Sequence, residues 1–132
     1  MLAYMLDTDI CIYLIKDKLP ALRQHFKDAN GRICMSTVTL GELKYGAEKS
    51  DRRAQNFEAL ERFADRMPVL PFDEQAAAHY GELRAALARA GTPCGPLDTQ
   101  IGAHARSRGL IIVTNNRREF DRMPGLRVEN WV

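Results

Sequence analysis

No apolar run in the sequence is long enough to cross a membrane. The longest runs, near the amino end, are broken by Asp7 and again by Lys16, well short of the roughly 20 residues that a span requires. A basic leader followed by a small-residue cleavage site is also missing, so the opening residues do not read as a secretory signal. Cysteine is scarce. Cys11, Cys34 and Cys94 stand alone, with no Cys-x-x-Cys and no histidine at zinc-ligand spacing, which excludes a zinc site or a disulfide framework. Cys11 and Cys34 lie in apolar runs and are expected to be small core residues. His25, His79 and His104 have no partner at ligand spacing and are read as structural or exposed. Neither sign of charge dominates, the net charge being +2, and repeats, low-complexity stretches and linkers are lacking. These absences place the chain in a reducing cytoplasm.

What is present is an ordinary globular composition, 45% apolar and 27% charged over 132 residues, expected to form one domain over 1–132 with a real core. Residues 2–6 are almost all apolar, too short for a helix and rich enough for a buried strand. Asp7 and Asp9 follow, then a second apolar run from Ile10 to Ile15. Helices are expected over Thr8–Lys16 and Leu19–Ala29, the second closed by the Asn30-Gly31 turn. Arg32–Ser36 reads as a strand and Thr39–Lys49 as a helix. From Asp51 to Arg66, the spacing of Phe57, Leu60, Ala64 and Met67 is helical. Pro68–Pro71 allows at most a short edge strand. Asp73 opens a long helix lined by Ala76, Tyr80, Leu83, Leu87 and Ala90, which stops at Gly91. That stripe suits core packing or a dimer interface. A further helix runs from Gly95-Pro-Leu-Asp98 to Arg108-Gly109, Leu110–Thr114 is the clearest strand, and a last short strand lies around Arg127–Val128. Strands alternating with helices imply an α/β, three-layer α/β/α domain on a parallel sheet.

Four acidic positions share a local setting: Asp7 after the first strand, Glu42 in the helix after the second, Asp98 at a helix start, and Asn116/Glu119 after Leu110–Thr114. A parallel sheet gathers strand ends and helix starts along one edge, where ligands bind. Each acid also has a local explanation. Asp7 or Asp9 suits a helix cap, Asp98 a helix dipole, and Glu119 a solvated face, with Asp121 as its rival. Clustered carboxylates cost free energy through repulsion and desolvation, and a hard divalent cation relieves it. Mg²⁺ takes oxygen ligands and keeps several waters, and such ions promote attack of water on a phosphodiester. As a set, the acids point to a metal-dependent nuclease. Arg106, Arg108, Arg117, Arg118 and Arg122 bracket the last long strand, and Arg117 and Arg118 are candidates for RNA phosphates. Asp7-Thr8-Asp9 also mimics the Asp-x-Asp of haloacid-dehalogenase-type phosphatases, with Ser36 passing for their second motif, although Asn115-Asn116 replaces their final acid pair. A receiver-like binding module, holding Mg²⁺ without chemistry, is the non-enzyme alternative.

Leu6-Asp7-Thr8-Asp9, Thr37-Val-Thr-Leu-Gly-Glu42-Leu-Lys-Tyr-Gly46, Gly95-Pro-Leu-Asp98 and Ile112-Val-Thr-Asn-Asn-Arg-Arg-Glu119-Phe120 together resemble the PIN-domain ribonucleases. Within that family the chain is similar to the VapC toxins of type II toxin–antitoxin pairs, in order and over essentially its whole length, including Pro124-Gly-Leu-Arg-Val-Glu-Asn-Trp131. The resemblance implies strand order 3-2-1-4-5. It also implies Asp7, Glu42, Asp98 and Glu119 as catalytic ligands of Mg²⁺ or Mn²⁺, and Thr114 and Asn116 as polar auxiliaries. Many members carry Asp where this chain has Asn116. At Asp9, Asn or Ser is commoner, making Asp9 an extra outer acid or a cap. The implied activity is endoribonuclease cleavage of RNA, often tRNA, and in the enterobacterial type initiator tRNA in its anticodon loop. The implied partner is a VapB antitoxin that also binds operator DNA and places a basic side chain in the acidic cleft, within a larger complex containing a toxin homodimer. Inactive PIN-like binding modules share the same pattern.

Overall fold

Strands that send alternate residues to opposite faces, both of them apolar, can only sit between two layers of helices. A computed structural model describes all 132 residues. Its strands are β1 (Tyr4–Leu6), β2 (Ile33–Ser36), β3 (Val69–Leu70), β4 (Ile111–Val113) and β5 (Val128–Glu129). Its helices are α1 (Thr8–Lys16), α2 (Pro20–Asp28), α3 (Thr37–Glu48), α4 (Arg53–Ala64), α5 (Glu74–Arg89), α6 (Pro96–Ser107) and α7 (Arg117–Phe120). All pairings are parallel, in the order β3-β2-β1-β4-β5, the order that the family resemblance implied.

The alternation is visible residue by residue. Leu6, Ile33, Met35 and Val113 enter one buried cluster, with Ile10 and Cys11 of α1, Leu22 and Phe26 of α2, and Leu60 and Phe63 of α4. Met5, Cys34 and Ile112 enter the other, with Leu83 and Leu87 of α5 and Ile101, Ala103 and Ala105 of α6. The chain therefore leaves β1 over one face and returns to β4 over the other. This makes the crevice beside β1 a switch point of the sheet, where open α/β folds bind ligands.

Element boundaries follow local chemistry. Pro20 occupies the first turn of α2, where its missing N–H costs nothing. The sequence reading began α3 at Thr39, but the helix starts at Thr37 because Ser36 Oγ accepts from the Val38 N–H at 3.0 Å and caps it. Asp73 caps α5 in the same way, accepting from Ala76 N at 3.0 Å. The short α7 was not anticipated as a helix at all.

Histidines are structural, as read. His25 stacks on Trp131, and His79 Nδ1 accepts from Arg106 Nε at 2.9 Å. His104 is fully buried, with Nδ1 2.8 Å from Ser36 Oγ and Phe72 edge-on to its ring. Burial holds its pKa below the usual imidazole value. Cys11 and Cys34 are buried, and no helix is long and apolar enough to cross a membrane.

The backbone of α6 passes close to the turn after α7. A methyl placed on Gly102 runs into the Met123 side chain and meets Leu126 Cδ2 at 3.3 Å, in a part of the core where Met123 is buried. Gly102→Ala is expected to lower stability by about 1–3 kcal/mol through overpacking, read as a shift in the urea midpoint at unchanged slope. Wild-type stability would show that Met123 gives way freely.

Candidate active site

The fold delivers the four acids to the carboxyl edge of the sheet from four separate segments. Asp7 leaves β1 and is the N-cap of α1; its backbone N–H donates to Val113 O at 2.9 Å, tying it to the end of β4. Its side chain is only 4% exposed. One carboxylate oxygen accepts from the Thr8 N–H at 2.7 Å and the other from the Thr114 hydroxyl at 2.8 Å. Thr114, fully buried, also accepts from the Asn116 N–H at 2.9 Å.

Glu42 comes from α3, where its Oε1 accepts from the Thr8 hydroxyl at 2.7 Å. Asp98 stands in the first turn of α6 and Glu119 in α7. Asn116 bridges these two, its Nδ2 lying 3.4 Å from Asp98 Oδ2 and 3.2 Å from Glu119 Oε2. Glu119 Oε1 also accepts from the Gly95 N–H at 3.4 Å. Asp121, the rival of Glu119 in the sequence, faces Arg117 instead at 3.2 Å.

Asp9 is not the cap that the sequence allowed, since Asp7 holds that place and Asp9 lies in the first turn of α1. Its oxygens accept from Ile10 N at 2.7 Å and Asn115 N at 3.3 Å, and its charge bears on Asp7. The arginines divide. Arg106 is committed to His79, Glu82 and the Pro124 carbonyl, and Arg117 to Asp121, whereas Arg118 is exposed. The charge of Arg122 reaches Glu119. Thr8 and the buried Ser36–His104 pair were missed as site or scaffold residues. Thr8 had a signal, being the hydroxyl residue between two acids, but nothing in the sequence joins Ser36 to His104. Burial of Ser36 beneath the α3 cap also removes the hydroxyl that the phosphatase reading required.

Electrostatics show what the crowding costs. Asp7 is pushed up to about 7, first by burial and then by the charge of Asp9, against the hydroxyl of Thr114 and the N–H of Thr8. Asp98 is pushed up to about 8 by burial, by its hydrogen bond with Glu119, and by the charges of Asp7, Glu119 and Glu42. Glu119 is held below the usual carboxylate range by that same bond and by the Gly95 and Asn116 donors. Of the two, Asp98 is the one pushed toward its protonated form. No three of these side chains converge tightly enough to enclose an ion by themselves. A cation that keeps most of its waters asks for only one or two direct carboxylates, so an all-oxygen, repelling donor set still fits a hydrated hard ion.

The profile of the PIN domain matches residues 4–126. The chain belongs to the PIN-domain family. Within it, the chain is 55% identical over 131 residues to the tRNA(fMet)-specific endonuclease VapC of Shigella flexneri, covering 99% of each. The solved structure of DNA-bound VapBC from Salmonella typhimurium matches with a TM-score of 0.97 and 52% identity over the whole of both chains. VapBC2 of Rickettsia felis, bound to a fragment of its promoter, matches with a TM-score of 0.95 and 35% identity, over 99% of this chain and 100% of that one. PIN-domain nucleases are metal-dependent, in keeping with the donor set.

The raised acids fix the sign of a pH effect. In the unfolded chain Asp98 ionises near 3.8, whereas in the metal-free fold it keeps its proton to about 8. Its favourable contribution is complete below the lower value and is lost as pH rises through the higher one. In EDTA, Asp98→Asn is therefore expected to gain melting temperature relative to wild type as pH rises from 5 to 8. A difference that stays constant with pH would contradict the assignment.

Proposed function

We propose that the chain is a Mg²⁺-dependent endoribonuclease and the toxin of a type II toxin–antitoxin pair. The observation that carries this reading is the crowding of Asp7, Glu42, Asp98 and Glu119 at the carboxyl edge of the sheet, where burial and neighbouring charge raise Asp7 and Asp98 above the usual carboxylate range. Oxygen-only donors and room for retained waters favour Mg²⁺, with Mn²⁺ a close substitute. Asp7, Glu42, Asp98 and Glu119 would hold the cation, directly or through the waters it keeps. Thr114 orients Asp7, and Asn116 bridges Asp98 and Glu119. Asp9 adds negative potential behind Asp7. Arg118, exposed on α7, and Arg117, once it exchanges Asp121 for substrate, are the proposed contacts to RNA phosphates. The cation, when bound, supplies an activated water and neutralises charge at the phosphodiester.

The substrate reading rests on the relatives: an initiator-tRNA endonuclease shares 55% of its residues with this chain, and tRNA is the proposed target. The partner reading rests on the VapBC complexes that share the fold from end to end. A VapB-type antitoxin restrains the enzyme and carries operator binding, in a complex built on a toxin homodimer. Such a pair works in the cytoplasm. A basic antitoxin side chain in the crevice would compete with the metal.

Asp7→Asn and Asp98→Asn should each reduce cleavage of tRNA by more than the roughly 10- to 100-fold typical of losing an outer-shell partner. EDTA should stop wild-type cleavage, and the cut ends should carry 5′-phosphate and 3′-hydroxyl. Ends bearing 2′,3′-cyclic phosphate would remove the mechanism, since the attacking oxygen would then be the RNA's own 2′-hydroxyl.

A further inference from the structure

Thr8 touches two of the four acids at once. Its backbone N–H donates to Asp7 at 2.7 Å, and its hydroxyl donates to Glu42 Oε1 at 2.7 Å. The same oxygen lies 3.3 Å from the hydroxyl of Thr39, one turn before Glu42 on α3 and fully buried. A hydroxyl has one proton and two lone pairs. With its own proton committed to the carboxylate, the Thr8 oxygen is left to accept from Thr39. The result is a directed chain, Thr39 to Thr8 to Glu42, running from the core to the crevice. It joins the first turn of α1 to α3 across 34 residues of sequence.

From this geometry we infer that Thr8 is the positioning residue of the site, holding Glu42 at a fixed distance and orientation from Asp7. The inference rests on the four-acid reading above. Glu42 accepts from one side chain alone, the Thr8 hydroxyl, whereas Asp7 has Thr114 as well as the Thr8 N–H and Glu119 has the Gly95 N–H as well as Asn116. A long glutamate on a helix has three rotatable bonds to order, and one charge-assisted hydrogen bond is what selects the rotamer that reaches Thr8, from which its charge bears on Asp98. The β-branch of threonine narrows the hydroxyl's own directions, so both ends of the link are stiff. With Oε1 engaged by Thr8, Oε2 is the oxygen free to meet the ion or its waters.

Thr8→Val keeps the shape and removes the hydroxyl, Thr8→Ser keeps the hydroxyl, and Glu42→Gln removes the charge that Thr8 is said to hold. Mn²⁺ binding to the metal-free proteins, read from the free-ion paramagnetic resonance signal, is expected to weaken about 10- to 100-fold in Thr8→Val and to recover most of that loss in Thr8→Ser. The double variant Thr8→Val/Glu42→Gln should bind no more weakly than Glu42→Gln alone, because the hydroxyl acts only through that carboxylate. Cleavage should follow the same order, with the metal requirement rising in Thr8→Val. Should Thr8→Val not fold, Thr8→Ala carries the same comparison. Wild-type Mn²⁺ binding in the folded hydroxyl-less variant, full additivity with Glu42→Gln, or losses that track melting temperature across the set would overturn the inference. If Glu42→Gln itself binds Mn²⁺ like wild type, the four-acid site fails first, and Thr8 with it.

Discussion

Carboxylates drawn into one partly dry crevice repel each other and resist losing their water, and the fold holds them there regardless. Asp98 feels Asp7, Glu119 and Glu42 together, and Asp7 feels Asp9 at close quarters. Left to relax, such groups would separate or turn outward. They do not, because each is anchored by a different rigid element: a strand end, the body of α3, the first turn of α6, and the short α7. The packed layers on both faces of the sheet leave those elements no cheap way to shift. The strain shows in Asp7 and Asp98, both of which are pushed toward their protonated forms.

Neutral donors complete the arrangement without adding charge. Thr114, Asn116, Thr8 and the Gly95 N–H each supply a hydrogen bond to a carboxylate oxygen, which limits the directions in which the acids can turn. An arginine or lysine in those places would quench the negative potential that attracts a cation. Two nearby arginines are spent elsewhere, Arg106 on Glu82 and Arg117 on Asp121, while the charge of Arg122 reaches Glu119. Neutral bonds orient, while charge is left unbalanced for an ion to neutralise.

Much of this was legible in the sequence, for reasons that differ by element. Apolar runs of three to five residues between helical patterns gave the strands, since a strand buried on both faces has no other composition open to it. Asp7, Glu42 and Asp98 stood out as acids where a strand end or a helix face leaves few harmless roles. Glu119 was separable from Asp121 only in three dimensions, because the half-turn of α7 decides which one faces Gly95 and which faces Arg117. The start of α3 was misplaced by two residues because the cap formed by Ser36 depends on its being the last residue of β2. Strand order came from family resemblance, not from periodicity, which carries no information on which strands are neighbours. The Ser36–His104 and Thr8–Glu42 bonds join residues far apart in the chain, and no local pattern marks them.

If Asp7 and Asp98 are pushed toward their protonated forms until a cation arrives, binding of the ion must expel protons. Calorimetric titration of the metal-free protein with Mg²⁺ at pH 7, in buffers of different ionisation enthalpy, counts the protons released. Asp7 at about 7 and Asp98 at about 8 predict release of roughly one proton or more per ion, fading towards pH 9 and reduced in Asp98→Asn. Mg²⁺ binding with no proton release at pH 7 would contradict the claim that these two carboxyls are among those that hold the metal.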